Sequence, residues 1–182
     1  MAARPVSTSQ PTHVIGNGTP ASCTSAAVVA AVAAGGIITF SCGPAPVTIS
    51  MQATAKVVNT SAEVVLDGGG KVTLSGGGVR RILYMDTCDP SQQWATSHCQ
   101  DQAEPQLTIQ NLAFTGGNST GQAYDGGGGG AIFFVSDDAT GTLSIQDSTL
   151  HDNPSEGFQT AAYPGIFFHS NGHPIVVGST VS

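Results

Sequence analysis

Charge is what this chain has least of. Only 9% of its 182 residues are charged, against about 25% in an ordinary globular domain. Arg4, Lys56, Lys71, Arg80 and Arg81 are its only lysines and arginines, and the formal net charge is −7. A nucleic-acid surface needs clustered cations to displace counterions from phosphates, so no nucleic-acid partner is expected. Long apolar runs are missing as well. Ala26–Ala34 is closed by Gly35-Gly36 and falls short of the roughly 20 residues of a membrane span, so no span is expected. No CxxC occurs, and no histidine pair has zinc-finger spacing, which leaves no metal site to name. Met1-Ala-Ala-Arg-Pro5 lacks the apolar stretch of a signal peptide. The chain then reads as a mature form given a new start methionine, or as a non-secreted protein.

Glycine, by contrast, is abundant: 24 residues, about twice the usual share. With many Ser, Thr and Val, it suits short stacked strands joined by tight turns, where glycine supplies positive φ angles. The length fits one domain. The four cysteines fall as Cys23/Cys42 and Cys88/Cys99. Two local disulfides are the economical reading, as in secreted chains, and four buried thiols are the alternative.

The chain also nearly repeats itself. Gly130-Ala-Ile-Phe-Phe-Val-Ser136 returns 34 residues later as Pro164-Gly-Ile-Phe-Phe-His-Ser170. Leu107-Thr-Ile-Gln-Asn-Leu-Ala-Phe114 returns 36 residues later as Leu143-Ser-Ile-Gln-Asp-Ser-Thr-Leu150, and Val176-Val-Gly-Ser-Thr-Val181 is a weaker third copy. Short strands recurring between Gly-rich turns predict an all-β solenoid, each copy stacked on the last. Residues 1–22 read as a loose lead-in, and 23–182 as a single domain. Thr24 or Ser25 caps a helix over about 25–34 that lids the first turn of the solenoid. Strands follow at Ile37–Ser41, Pro46–Ser50, Lys56–Val58, Glu63–Leu66, Lys71–Leu74, Arg81–Met85 and Gln106–Ile109. A polar, disulfide-suspect loop occupies about 86–105. No helical lid follows Val181, so the last copy presents a bare edge and predicts self-association there.

Val14-Ile-Gly-Asn-Gly-Thr-Pro-Ala-Ser-Cys23, the Ala-rich helix, Gly35-Gly-Ile-Ile-Thr-Phe-Ser-Cys42 and Val64-Val-Leu-Asp-Gly-Gly-Gly70 resemble the start of secreted bacterial right-handed parallel β-helix proteins. These are an uncharacterised subgroup of the pectate-lyase-like superfamily, of which this chain looks like a short version. The resemblance implies a right-handed parallel β-helix, an extracellular location, and engagement of a polysaccharide or cell-surface glycan. Enzymes of the superfamily are polysaccharide lyases or glycoside hydrolases. The polygalacturonase-like series of Asn-Thr-Asp, Asp-Asp, His-Gly and Arg-Ile-Lys is absent apart from Asp137-Asp138. Fold analogy alone does not assign a reaction.

Three constellations carry candidate chemistry. A lyase needs a base for the proton α to a uronate carboxylate, and Arg80 and Arg81 are the candidates, only one of which can face a given groove. An anionic polymer meeting a net charge of −7 would call for Ca²⁺, the one candidate ion; no other cofactor is implied. A hydrolase needs two carboxyl groups at a defined spacing, and Asp137, Asp138, Asp147 and Asp152, with His151 beside Asp152, form the candidate cluster. The alternative is plain turn chemistry at 137–141 and 152–154. Sugar binding needs aromatic faces, and the repeat places Phe133 over Phe167 and Phe134 over Phe168. One pair should face outward as an exposed ladder, joined by Tyr124 or Trp94, unless a loop covers it. His169 and His173 read as a surface turn rather than a metal pair. An ice-binding solenoid would want a regular Thr-x-Thr array, and copies of unequal length and sequence argue against one. A non-catalytic surface or sugar-binding solenoid is the alternative to an enzyme.

Overall fold

A computed structural model describes residues 5–93, 102–120, 128–136, 143–153, 165–170 and 175–182. Within them the chain is mostly strand, in parallel sheets, with one α-helix. The strands are β1 (His13–Ile15), β2 (Gly36–Phe40), β3 (Val47–Ser50), β4 (Ala55–Lys56), β5 (Glu63–Arg80), β6 (Leu83–Asp86) and β7 (Gln106–Gly117). They continue with β8 (Ile132–Ser136), β9 (Leu143–Gln146), β10 (Thr149–His151), β11 (Ile166–Ser170), β12 (Ile175–Val177) and β13 (Thr180–Val181).

One sheet of nine strands runs β1-β2-β5-β7-β10-β13, with β3 on β5 and β9 joining β7 to β12. Its long strands β5 and β7 pair in two segments separated by a register shift between Asp67 and Val72, so each belongs to two stretches of the sheet. The first stretch registers Ile38, Leu66, Ile109, Ile145 and Val176 on one another. The second registers Ile49, Leu74, Phe114, Leu150 and Val181. A second sheet of four strands, β4-β6-β8-β11, aligns Ala55, Leu83, Ile132 and Ile166, and beside them Met85, Phe134 and Phe168. These inward rows are the core: Ile38, Leu66, Leu74, Met85, Ile109, Phe114, Phe134 and Ile145 are buried to within 1% of full occlusion. Strands in a sheet lie ~4.8 Å apart, so like side chains stack directly, and each buried one contributes roughly 1.5–3 kcal/mol.

The corner after the first stretch needs left-handed backbone. Asn111 (φ 51°) and Asp147 (φ 47°) occupy it in two successive copies and Gly178 (φ 60°) in the third. Asn and Asp tolerate that region better than other side chains. At Gly178 a Cβ would meet the Asp147 Oδ1, the free end of an exposed side chain. Asp67-Gly70 and Ser75-Gly78, read as turns, are these corners inside a strand that continues through them as β5.

Helix α1 (Ser25–Ala34) starts where the Thr24 hydroxyl accepts a hydrogen bond from the Ala27 N–H at 3.2 Å, and ends at Gly35 with φ 78°. It buries Val28, Ala31 and Val32 against β1, β2 and β4. A disulfide joins Cys23 to Cys42 across a separation of 19 residues, a closure that adds about 3 kcal/mol in chain-entropy terms. Cys88 is also disulfide-bonded; its expected partner Cys99 lies outside the described residues. No helix of the described residues is long and apolar enough to cross a membrane.

Residues 5–22 depart from the loose lead-in expected of them. β1 lies in parallel on β2, and upstream the chain is strapped over the outer side of the first stretch. Gln110 Nε2 donates to the Val6 carbonyl at 3.1 Å, and its Oε1 accepts from the Val6 N–H at 3.0 Å. The Thr8 hydroxyl donates to Asp67 at 2.8 Å. A side-chain amide here imitates a neighbouring strand, which composition could not reveal. At the opposite end Val176, Val177 and Val181 are exposed; the expected self-association would use this edge.

Candidate functional site

The outward positions of the two stretches of the first sheet and of the second sheet differ in their burial. On the second sheet the register places Lys56, Tyr84, Phe133 and Phe167 in one outward row. Tyr84 and Phe133 stack at 5.3 Å between centroids, and Phe133 and Phe167 at 4.9 Å. The ladder predicted between Phe133 and Phe167 therefore exists and includes Tyr84, but Phe133 is only 3% exposed and Tyr84 1%. It faces outward without being open. Arg81, fully buried, lies 4.5 Å from the Phe133 ring centre. It donates from Nε to the Gly129 carbonyl at 3.1 Å and from Nη2 to the Gly128 carbonyl at 2.8 Å. The Lys56 ammonium sits 4.8 Å from the Tyr84 ring on the other side, each such contact contributing about 0.5–2 kcal/mol.

Beyond the ring, the Tyr84 hydroxyl donates to Asp89 at 3.0 Å and reaches Asp86 at 3.4 Å. Burial works to raise the Asp89 pKa, but hydrogen bonds from the Ser91 hydroxyl, the Ser91 N–H and Tyr84, with the Lys56 charge, hold it below its ordinary value. On the first stretch, Asp67 answers the same logic. Burial opposes its ionisation, yet donors from Gln110, Gly69, Asn111 and Thr8 outweigh it and depress the pKa.

On the second stretch Thr48, Ser50, Thr149 and Thr180 are exposed, and Thr73, Ser75 and Thr115 half-buried. At its corner a shallow groove of about 170 Å³ is lined by Lys71, Thr73, Asn111, Asp147 and Thr149 among others. It adjoins a second hollow of about 340 Å³ around Phe40, Gly43, Val47 and Gly69, the two sharing Lys71 and Val72. Lys71 and Asp147 bring opposite charges to a groove whose floor is otherwise uncharged.

The predicted site residues scatter. His151 Nδ1 and the Asp152 carboxylate are 2.9 Å apart and open, with side chains 43% and 86% exposed. His151 also meets the Thr115 hydroxyl at 3.4 Å. Asp152 holds φ 54° at the second corner, where its carbonyl accepts from the Gly116 N–H at 3.0 Å. Arg80 and Arg81 diverge: Arg80 Nη1 bonds the Gln52 carbonyl, and its Nε has no partner among the described residues. Arg81 is enclosed, so a polymer cannot reach its guanidinium. Asp137, Asp138, Tyr124 and Trp94 lie outside the described residues, as does His173. Among the described residues no three His, Cys, Asp or Glu side chains gather as a metal site.

Sequence reasoning missed Lys71, Asn111 and Asp147 as a group, and Tyr84 with Asp86 and Asp89. Tyr84 was within reach, because Ile82-Leu83-Tyr84-Met85 parallels Ala131-Ile132-Phe133-Phe134. The corner group becomes visible only once Asn111 and Asp147 are recognised as equivalent positions of the Leu107 and Leu143 repeats. The chain matches no protein-family model, no curated protein and no solved structure.

Proposed function

We propose that the two parallel sheets are faces of a right-handed parallel β-helix, similar to the pectate-lyase-like superfamily, and that this extracellular protein binds a polysaccharide along its corner groove. The disulfide between Cys23 and Cys42 supports an oxidising, extracytoplasmic location. The observation that carries the binding reading is the repetition of polar side chains across the strands. Lys71, Asn111 and Asp147 follow one another on successive copies along the groove. Strand spacing puts such groups ~4.8 Å apart, a step comparable with one sugar ring. A chain lying across the strands would meet a hydrogen-bonding group at each step. Shallow, polar and lacking an aromatic platform, the groove suits weak multivalent binding better than capture of a single sugar.

Cleavage is the second reading, and of the cluster Asp137, Asp138, Asp147, His151 and Asp152 expected from the sequence it is the open His151–Asp152 pair that favours it. An imidazole held by a carboxylate can act as a general acid or base.

A polysaccharide panel with and without Ca²⁺ tests both. The binding reading expects retention of the protein by at least one polymer in affinity electrophoresis. Lys71→Ala should weaken that retention about tenfold or more, as loss of a charged hydrogen bond does. Retention indifferent to Lys71→Ala and Asp147→Ala would sink the groove assignment. Unsaturated products or new reducing ends, lost in His151→Ala, would move the assignment from binding to cleavage.

A further inference from the structure

The second stretch carries another feature, a field of hydroxyls of which Thr73 and Thr149, with Ala113 between them, also line the groove. Its strands present their outward residues as Thr48 and Ser50, Thr73 and Ser75, Ala113 and Thr115, Thr149 and His151, then Thr180, with Ser182 next in sequence. No register shift interrupts the alignment of residues 72–75 with β3 or β7. The result is a grid of two columns and five ranks. Seven of the nine positions on the strands bear a hydroxyl, none bears a fixed charge, and His151 is the sole titratable side chain on them. The hydroxyls of Thr48, Thr73, Thr149 and Thr180 make no hydrogen bond within the described residues, and those of Ser50 and Ser182 make none either. Thr48, Ser50, Thr149 and Thr180 are exposed, while Thr73, Ser75 and Thr115 are half-buried.

We infer that this hydroxyl face is an ice-binding surface. Ranks recur every ~4.8 Å across the strands, and columns every ~6.6–6.8 Å along them. These two steps are close to the repeats of oxygen atoms on a prism face of ice. Threonine supplies both features such a surface uses: a hydroxyl that anchors a water, and a methyl that restricts the orientations its neighbours can adopt. Waters held at lattice positions can then merge with the crystal instead of being expelled from it. The alternative occupant, the flat face of a crystalline polysaccharide, is less well served, because the grid offers no ring for a sugar to stack on. Its lack of charge suits an uncharged lattice rather than an ionic partner. The inference goes beyond the polysaccharide reading: the two share Thr73, Ala113 and Thr149, while Lys71, Asn111 and Asp147 belong to the groove alone.

Single ice crystals grown in solutions of the full chain test it. The expected result is faceted crystals and a gap between melting and freezing temperatures. Thr115→Tyr, at the centre of the grid, and Thr48→Tyr, at its exposed rim, should each shrink that gap several-fold. Circular dichroism and the melting midpoint verify that each variant is folded, and the rim variant serves if the central one is not. Lys71→Ala should leave the gap unchanged while weakening polysaccharide retention, so the two readings fail separately. Round crystals without a gap at millimolar folded protein would overturn the inference. So would a gap that neither tyrosine variant moves, or loss of polysaccharide retention in both variants with no effect on ice.

Discussion

The Tyr84–Phe133–Phe167 row and the Thr73–Ala113–Thr149 row occupy equivalent situations. Both point away from the core, both repeat at the spacing of parallel strands, and both are in unbroken register. One is aromatic and almost fully occluded at Tyr84 and Phe133; the other carries hydroxyls and a methyl, and is open to half-open. Inward-outward alternation therefore decides which residues form the core, but does not decide which residues are buried. That second question is settled by whether the chain passes back over a stretch. Where it does, the outward row changes chemistry to suit its cover: aromatic rings beneath the Gly128–Gly129 backbone clasped by Arg81, carboxylate and amide beneath Val6–Thr8. On the second stretch, exposed at Thr48, Ser50, Thr149 and Thr180, the outward residues are small neutral hydroxyls.

The contrast can be broken most directly by truncation. Phe133→Ala should cost about 3–5 kcal/mol, whereas Thr73→Ala should stay within about 0.5 kcal/mol; chemical denaturation of the two variants makes the comparison. Equal costs would mean that the covered row is packed no better than the bare one. Next in size comes the clasp. Arg81→Met keeps much of the bulk over the Phe133 ring but leaves the carbonyls of Gly128 and Gly129 without these donors, a loss of roughly 1–3 kcal/mol for each such buried group. Its signature is faster hydrogen exchange in residues 128–136 than in residues 72–75. The smallest effect is expected at Asp67. Its folded pKa lies below the ordinary 3.8, so the carboxylate is favoured by folding. That contribution is complete well above pH 3.8 and is lost as pH falls through the folded value. Asp67→Asn should flatten stability against pH in that acid range. An unchanged acid limb would show that Thr8 and Gln110 hold the strap without help from the charge.

Much of the stacking was legible because repeats preserve register. Leu107 and Leu143 pair, as do Phe133 and Phe167, and even the weak copy at Val176 lies against Ile145. The helix appears where its cap and closing glycines placed it. The hydroxyl grid was hidden for a physical reason: its ranks lie 25, 40, 36 and 31 residues apart. Excursions of different length separate equivalent positions, and only backbone pairing removes them. The burial of the aromatic ladder escaped for a related reason, since Arg81 reads from its neighbours as a solvated turn residue while its partners are carbonyls 47 and 48 residues on. The strap over Asp67 leaves no periodic trace at all, being held by a few side-chain contacts from a segment rich in Ser, Thr and Pro.

That strap also sets an order of events. Val6 and the side chain that grips it are 104 residues apart, so this segment has no seat until Gln110 has been synthesised. At the usual rate of about 5–20 residues per second, the wait is roughly 5–20 s. During it, the outer side of the first stretch lacks the contacts of Val6 and Thr8, and the segment that supplies them is unseated. Closure of the strap is thus a long-range step, and it marks the moment when Val6 and Thr8 cease to be available to any other partner.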